Sequence, residues 1–171
     1  MSSRTIGSQE PRIAILPEPD KPLKWSDLYS DGDDAAEFSA AYGLPPDPWQ
    51  RTVLSAWLTR SPYDKFVCTS CGLSVPRQNG KNALLEMREL YGLCAIGEKI
   101  LHTAHRVDTA RKAFLRLVTF FENPAYPELK EMVVSIRKTN GQESITLING
   151  GSIEFSSRVN GGSRGSTYDV V

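Results

Sequence analysis

The densest chemistry in the chain lies in one stretch, Ser74-Val75-Pro76-Arg77-Gln78-Asn79-Gly80-Lys81-Asn82. A glycine followed by a lysine at the end of a loop, just before a helix, suits polyphosphate. Backbone N–H groups and the helix N-terminus face the anion, and the lysine reaches its outer oxygens. Arg77 adds a second cation shaped for phosphate. Asn82 stands where a standard phosphate loop has Ser or Thr, and its amide oxygen can serve Mg²⁺ in place of a hydroxyl. The first glycine of the standard pattern is replaced by Val75, so only Gly80-Lys81 is retained.

Other residues with chemical potential are scattered. Gln50 follows Pro48-Trp49, and a glutamine amide pairs with both a donor and an acceptor, as on an adenine edge. Cys68-Thr69-Ser70-Cys71 has the spacing of half a zinc site, but no second Cys or His pair follows at suitable spacing, so two small core side chains are expected. His102 and His105 are three apart and carry no carboxylate at ligand spacing. They read as a loop at the carboxyl end of a strand, where α/β proteins bind ligands. Arg106, Arg111, Lys112 and Arg116 form either a solvated helix face or a surface for a phosphate backbone. The glycine-rich run from Ser157 to Ser166 holds Arg158 and Arg164. It is either a flexible loop or one that faces nucleic acid or phosphate.

The elements that must position these groups follow from periodicity. Pro11, Pro17, Pro19 and Pro22, with the acidic turn Asp31-Gly32-Asp33-Asp34, make residues 1–43 an N-terminal arm, partly disordered, with a helix through Ala35 to Tyr42 capped by Asp33. Pro48 opens a helix whose Trp49, Val53, Leu54, Trp57 and Leu58 recur at helical spacing. Residues 66–71 read as a buried strand entering the loop, and Ala83, Leu84, Met87, Leu90, Tyr91 and Cys94 as the apolar stripe of the helix leaving it. A strand over 99–104 and a helix capped by Asp108, carrying Ala110, Ala113, Phe114, Leu117, Val118 and Phe121, come next. Asn123-Pro124 stops that helix. Short strands at 132–137, 144–148 and 152–156, with turns at Asn140-Gly141 and Asn149-Gly150-Gly151, form a meander that extends the sheet antiparallel at one edge. Residues 167–171 begin a further strand.

At 171 residues, 40% hydrophobic and 23% charged, the chain suits a globular domain with a sizeable core. Twenty basic residues balance twenty acidic ones, so net charge points to no nucleic-acid or membrane partner. Three cysteines and no secretory leader suit a reducing, cytosolic setting. No apolar run approaches the roughly 18 residues of a membrane span.

Taken in order, Pro48-Trp49-Gln50, the Pro76-to-Lys81 loop, Thr103-Ala104-His105 before a helix, the meander and Ser163 to Val171 resemble the N-terminal ATPase domain of the large terminase subunit of tailed bacteriophages. The resemblance covers residues 44–171, and Pro-Arg-Gln-Asn-Gly-Lys is its most specific part. It implies an α/β fold of the P-loop NTPase kind: a parallel, helicase-like sheet with flanking helices and an antiparallel edge meander. It also implies ATP and Mg²⁺ as cofactors, with Gln50 as adenine reader and Arg77, Gln78, Asn79, Gly80, Lys81 and Asn82 as the triphosphate and Mg²⁺ site. By the same resemblance the partners are double-stranded DNA, the small terminase subunit, the portal protein and other large-subunit copies, in the cytoplasm of an infected bacterial host. In that family the strand beginning at Tyr168 continues to an acidic pair, and a nuclease domain follows. The expectation for these residues is therefore an incomplete ATPase domain that binds nucleotide and hydrolyses it poorly. The alternatives are a non-catalytic nucleotide-binding module completed by a partner chain, or another helicase-like ATPase.

Overall fold

The computed structural model describes Ala14, residues 24–157 and residues 167–171. The chain forms two units, Met1–Leu84 and Leu85–Val171.

In the first unit a single 3-10 turn, Trp25–Asp27, leads into β1 (Tyr29–Ser30), α1 (Gly32–Ala41), α2 (Pro48–Trp57) and β2 (Thr59–Arg60). Helix α1 falls on the predicted segment. Its start differs from expectation: Ser30 Oγ accepts the Gly32 N–H at 3.1 Å, and Asp33 lies inside the first turn. Proline at the first position opens α2 as expected. Ala35 and Ala36 of α1 and Leu54 of α2, with Leu58 just beyond it, are fully buried. Strands β1 and β2 pair antiparallel, Tyr29 with Arg60 and Ser30 with Thr59.

Arg60 fastens this corner. Its Nε donates to Asp31 at 2.6 Å and its Nη1 to Asp64 at 3.0 Å, while its guanidinium lies 4.2 Å above the Phe66 ring. Burial works against its charge, but the hydrogen bond and charge of Asp31, with the charge of Asp64, together outweigh that and hold its proton more firmly still. The Tyr29 hydroxyl donates to the same Asp64 carboxylate, which raises the phenol's pKa.

Residues 66–71 do not form the expected strand. Phe66 makes one antiparallel bridge to Arg60, Val67 N–H donates to Thr59 O at 3.0 Å, and the chain then runs irregularly to the loop. A strand exists only as a member of a ladder. The β1–β2 pair in this unit is two residues long, and Phe66 takes the one place beside Arg60. Cys71 is accordingly exposed and Cys68 half-buried, not the core pair expected from the spacing.

Helix α3 (Lys81–Tyr91) leaves the loop, and the second unit continues through a π-helical turn, Gly92–Ile96, to β3 (Lys99–Ala104). There follow α4 (Val107–Glu122), α5 (Pro127–Glu131), β4 (Val133–Arg137), β5 (Ser144–Leu147) and β6 (Ser152–Ser157). The predicted apolar stripe of α3 is buried at Leu84, Met87, Leu90 and Tyr91. The sheet order is β3-β6-β5-β4. Strands β3 and β6 are parallel, in register from Lys99 opposite Ser152 to Ala104 opposite Ser157, and the β4-β5-β6 meander is antiparallel. The sheet is thus mixed rather than parallel throughout, because tight turns can join only antiparallel neighbours.

Val170 makes one isolated parallel bridge to Ile100 on the other side of β3, and residues 167–171 otherwise carry no strand, short of the expected one. Helix α4 packs on the sheet through Phe114, Leu117, Val118 and Phe121, with the Phe114 and Phe155 rings edge to face at 5.4 Å. It starts at Val107 with Arg106 as its cap. Asp108 lies in the first turn, since Thr109 and Ala110 N–H groups already donate to Arg106 O.

Candidate functional site

The loop reaches α3 through a turn at Arg77-Gln78 and a bend at Asn79-Gly80. Gln78 and Gly80 both have left-handed backbone, with φ of 62° and 75°. For Gln78 that conformation is uncommon. Left-handed residues interleaved in a loop turn successive N–H groups toward one side, the arrangement that makes an anion-binding concavity. The first rung of α3 is Leu84 N–H to Gly80 O at 3.1 Å. The amides of Lys81, Asn82 and Ala83 therefore have no helical carbonyl to donate to. Arg77, Gln78, Asn79, Gly80, Lys81 and Asn82 are all exposed.

Gln50 is in the same unit, and its side chain touches the loop. Its Nε2 donates to Gly80 O at 3.0 Å, and its Oε1 accepts the Asp47 N–H at 2.7 Å. The second bond is one half of a capping box at the start of α2. The first joins the Pro-Trp-Gln segment to the loop. A Cβ placed on Gly80 would come within 3.0 Å of Gln50 Nε2 and 3.8 Å of Trp49 Cζ2, so those two side chains wall that side of the glycine.

The structure thus brings Gln50 and the 77–82 segment together. Arg158 and Arg164 lie outside the described residues. The residues present fit a triphosphate: two exposed cations, three helix-start amides, and a neutral amide oxygen at Asn82 suited to share a hydrated Mg²⁺. Among the described residues, no group of three or more His, Cys, Asp or Glu side chains could hold a metal on its own. Asp169 Oδ2 accepts the Lys99 N–H at 2.8 Å, so this carboxylate serves the strand pairing beside β3.

No family model, curated protein or solved structure matches the chain.

One set of charges escaped the sequence reading. Helix α3 carries Glu86, Arg88 and Glu89 between apolar neighbours, and all three are buried. Glu86 pairs with Arg116 at 2.5 Å, Glu89 with His102 Nδ1 at 2.5 Å, and Arg88 with Glu98. Burial pushes the Glu86 carboxyl above its ordinary range despite the opposing pull of Arg116. His102 therefore has a carboxylate partner, supplied by a helix thirteen residues away in sequence. The available signal was the helical repeat of α3 itself, in which Glu86 and Glu89 are one turn apart and flank the apolar position Met87. Among the described residues, no helix is long and apolar enough to cross a membrane.

Proposed function

We propose that this chain binds a nucleoside triphosphate with Mg²⁺ at Arg77–Asn82 and is the N-terminal part of a terminase-like motor that packages viral DNA. The observation that carries this reading is the loop's backbone. Two left-handed residues, Gln78 and Gly80, turn directly into a helix whose first residue is Lys81. On this reading Lys81 meets the outer phosphates, Arg77 adds charge, the amides of Lys81 to Ala83 hold phosphate oxygens, and Asn82 shares Mg²⁺ through its amide oxygen. Double-stranded DNA, the small subunit, the portal and further large-subunit copies are the proposed partners, in the cytoplasm of an infected bacterial host.

The second reading, a nucleotide-binding module without turnover of its own, draws on Asp169. That carboxylate bonds to backbone and is unsuited to activating water. The two readings share one test for the site and separate on a second. Titration calorimetry with Mg-ATP should give binding by the chain as it stands. Lys81→Ala, an exposed substitution, should weaken it by a factor of about 100 at unchanged melting temperature, from loss of charge-assisted phosphate bonds. Equal affinity in both proteins would refute the site. Steady phosphate release from the 171-residue chain would rule out the module reading.

A further inference from the structure

The side chain of Gln50 is committed at both ends within the first unit. Its carbonyl oxygen accepts the Asp47 amide at 2.7 Å, its amino group donates to the Gly80 carbonyl at 3.0 Å, and the residue is 3% exposed. The partners fix which end of the amide is which, because one is a donor and the other an acceptor. An adenine edge asks a glutamine for one donor and one acceptor together. Each end of Gln50 has one unused valence left, in a residue that is almost wholly buried.

What the bond to Gly80 does follows from peptide geometry. The Gly80 carbonyl and the Lys81 N–H belong to one planar trans peptide and point in opposite directions. Holding the carbonyl therefore aims the first free amide of α3 away from Gln50. The same oxygen also accepts Leu84 N–H, so Gln50 secures the first rung of the helix. A side chain on Gly80 would press on Gln50 Nε2 at 3.0 Å and would have to adopt φ of 75°.

We infer that Gln50 is a positioning residue for the phosphate loop, not a reader of the base. The inference rests on the phosphate-loop reading above. Through Gly80, Gln50 orients the amides that meet the phosphates, so its contribution is the same whatever base the phosphates carry.

The test is calorimetric titration of the full chain with Mg-ATP, Mg-GTP and Mg-tripolyphosphate, the last having no base. Gln50→Ala should weaken all three by one common factor, about tenfold for one lost hydrogen bond and a loosened loop. Gln50→Glu keeps the acceptor for Asp47, but its carboxylate cannot donate to Gly80. Burial beside the Gly80 carbonyl raises the introduced carboxyl above its ordinary value, so the variant should show the same uniform loss near pH 8 and recover toward wild type on acidification through that raised value, where the protonated acid donates again. A role carried by the Asp47 contact alone would produce no loss in Gln50→Glu, because that acceptor is kept. Circular dichroism checks the fold, and Gln50→Glu carries the test should Gln50→Ala fail to fold.

Loss of ATP affinity with GTP and tripolyphosphate unchanged would overturn the inference and leave the phosphate loop standing. Uniform loss in Gln50→Glu without recovery in acid would also overturn it, since the donor would then not matter. No binding of any of the three by wild type would instead refute the phosphate loop itself, and this role with it.

Discussion

The buried pair Arg88–Glu98 offers the sharpest stability prediction. Arg88 Nη1 meets Glu98 Oε2 at 2.6 Å and Nη2 meets Oε1 at 2.9 Å, with the side chains 10% and 4% exposed. The fork is shut against the π-helical turn at Gly92. A Cβ there would lie 2.2 Å from Glu98 Oε2 and 2.5 Å from Arg88 Nη1, so only glycine leaves room. Glu98→Ala strands a guanidinium in a desolvated place, which costs about 3–5 kcal/mol. For a chain of this size that lowers the melting midpoint by roughly 6–20 °C. Gly92→Ala should destabilise to a similar degree by forcing the carboxylate off its partner.

The double variant Arg88→Met with Glu98→Leu removes both charges and fills the space. It should melt closer to wild type than Glu98→Ala does, because two charges no longer have to be desolvated. Urea and thermal unfolding followed by far-UV circular dichroism measure all four proteins. If Glu98→Ala fell by less than about 1 kcal/mol, the level of an exposed pair, the buried geometry would be refuted. A double variant no more stable than Glu98→Ala would refute the coupling.

Three further outcomes follow from the second unit. Asn149 Nδ2 donates to Leu93 O at 2.8 Å and Cys94 O at 3.0 Å, and its Oδ1 accepts Gly151 N–H at 3.0 Å. Asn149→Ala should therefore cost about 2–3 kcal/mol in urea unfolding. Because burial raises the Glu86 pKa above 4.5, its contribution to stability is fully present below 4.5 and is lost as pH rises through the raised value. The stability of Glu86→Gln relative to wild type should accordingly improve between acid and neutral pH; a pH-independent difference would count against the shift. Burial pushes the Cys94 thiol up to about 12. A disulfide reagent at mildly alkaline pH should modify exposed Cys71 quickly and Cys94 only on unfolding, which mass spectrometry of the labelled peptides reports.

Much of the second unit was legible in the sequence because its cues are local. Alternation and Asn-Gly turns marked β4, β5 and β6, and the 3.6-residue apolar repeat from Ala110 to Phe121 marked α4. Proline marked the start of α2 in the same way. The segment 66–71 was not legible. Its composition suits a strand, but whether one forms depends on a ladder partner, and sequence does not show how many places β2 has beside it. The parallel pairing of β3 with β6 across two intervening helices and strands β4 and β5 likewise depends on tertiary contact.

The loop at 74–82 shows the division most clearly. Residue types alone determined that Gly80, Lys81 and Arg77 suit phosphate, because charge and backbone freedom are properties of single residues. They also determined that Gln50 carries a donor and an acceptor. Only the tertiary structure decided where that donor and acceptor go: to Asp47 and to the Gly80 carbonyl, thirty residues away. The same holds for Glu86, Arg88 and Glu89. Their charges were visible in the sequence, but burial beside Arg116, Glu98 and His102 arises only when helix and strand pack, and it is burial that gives those charges their weight.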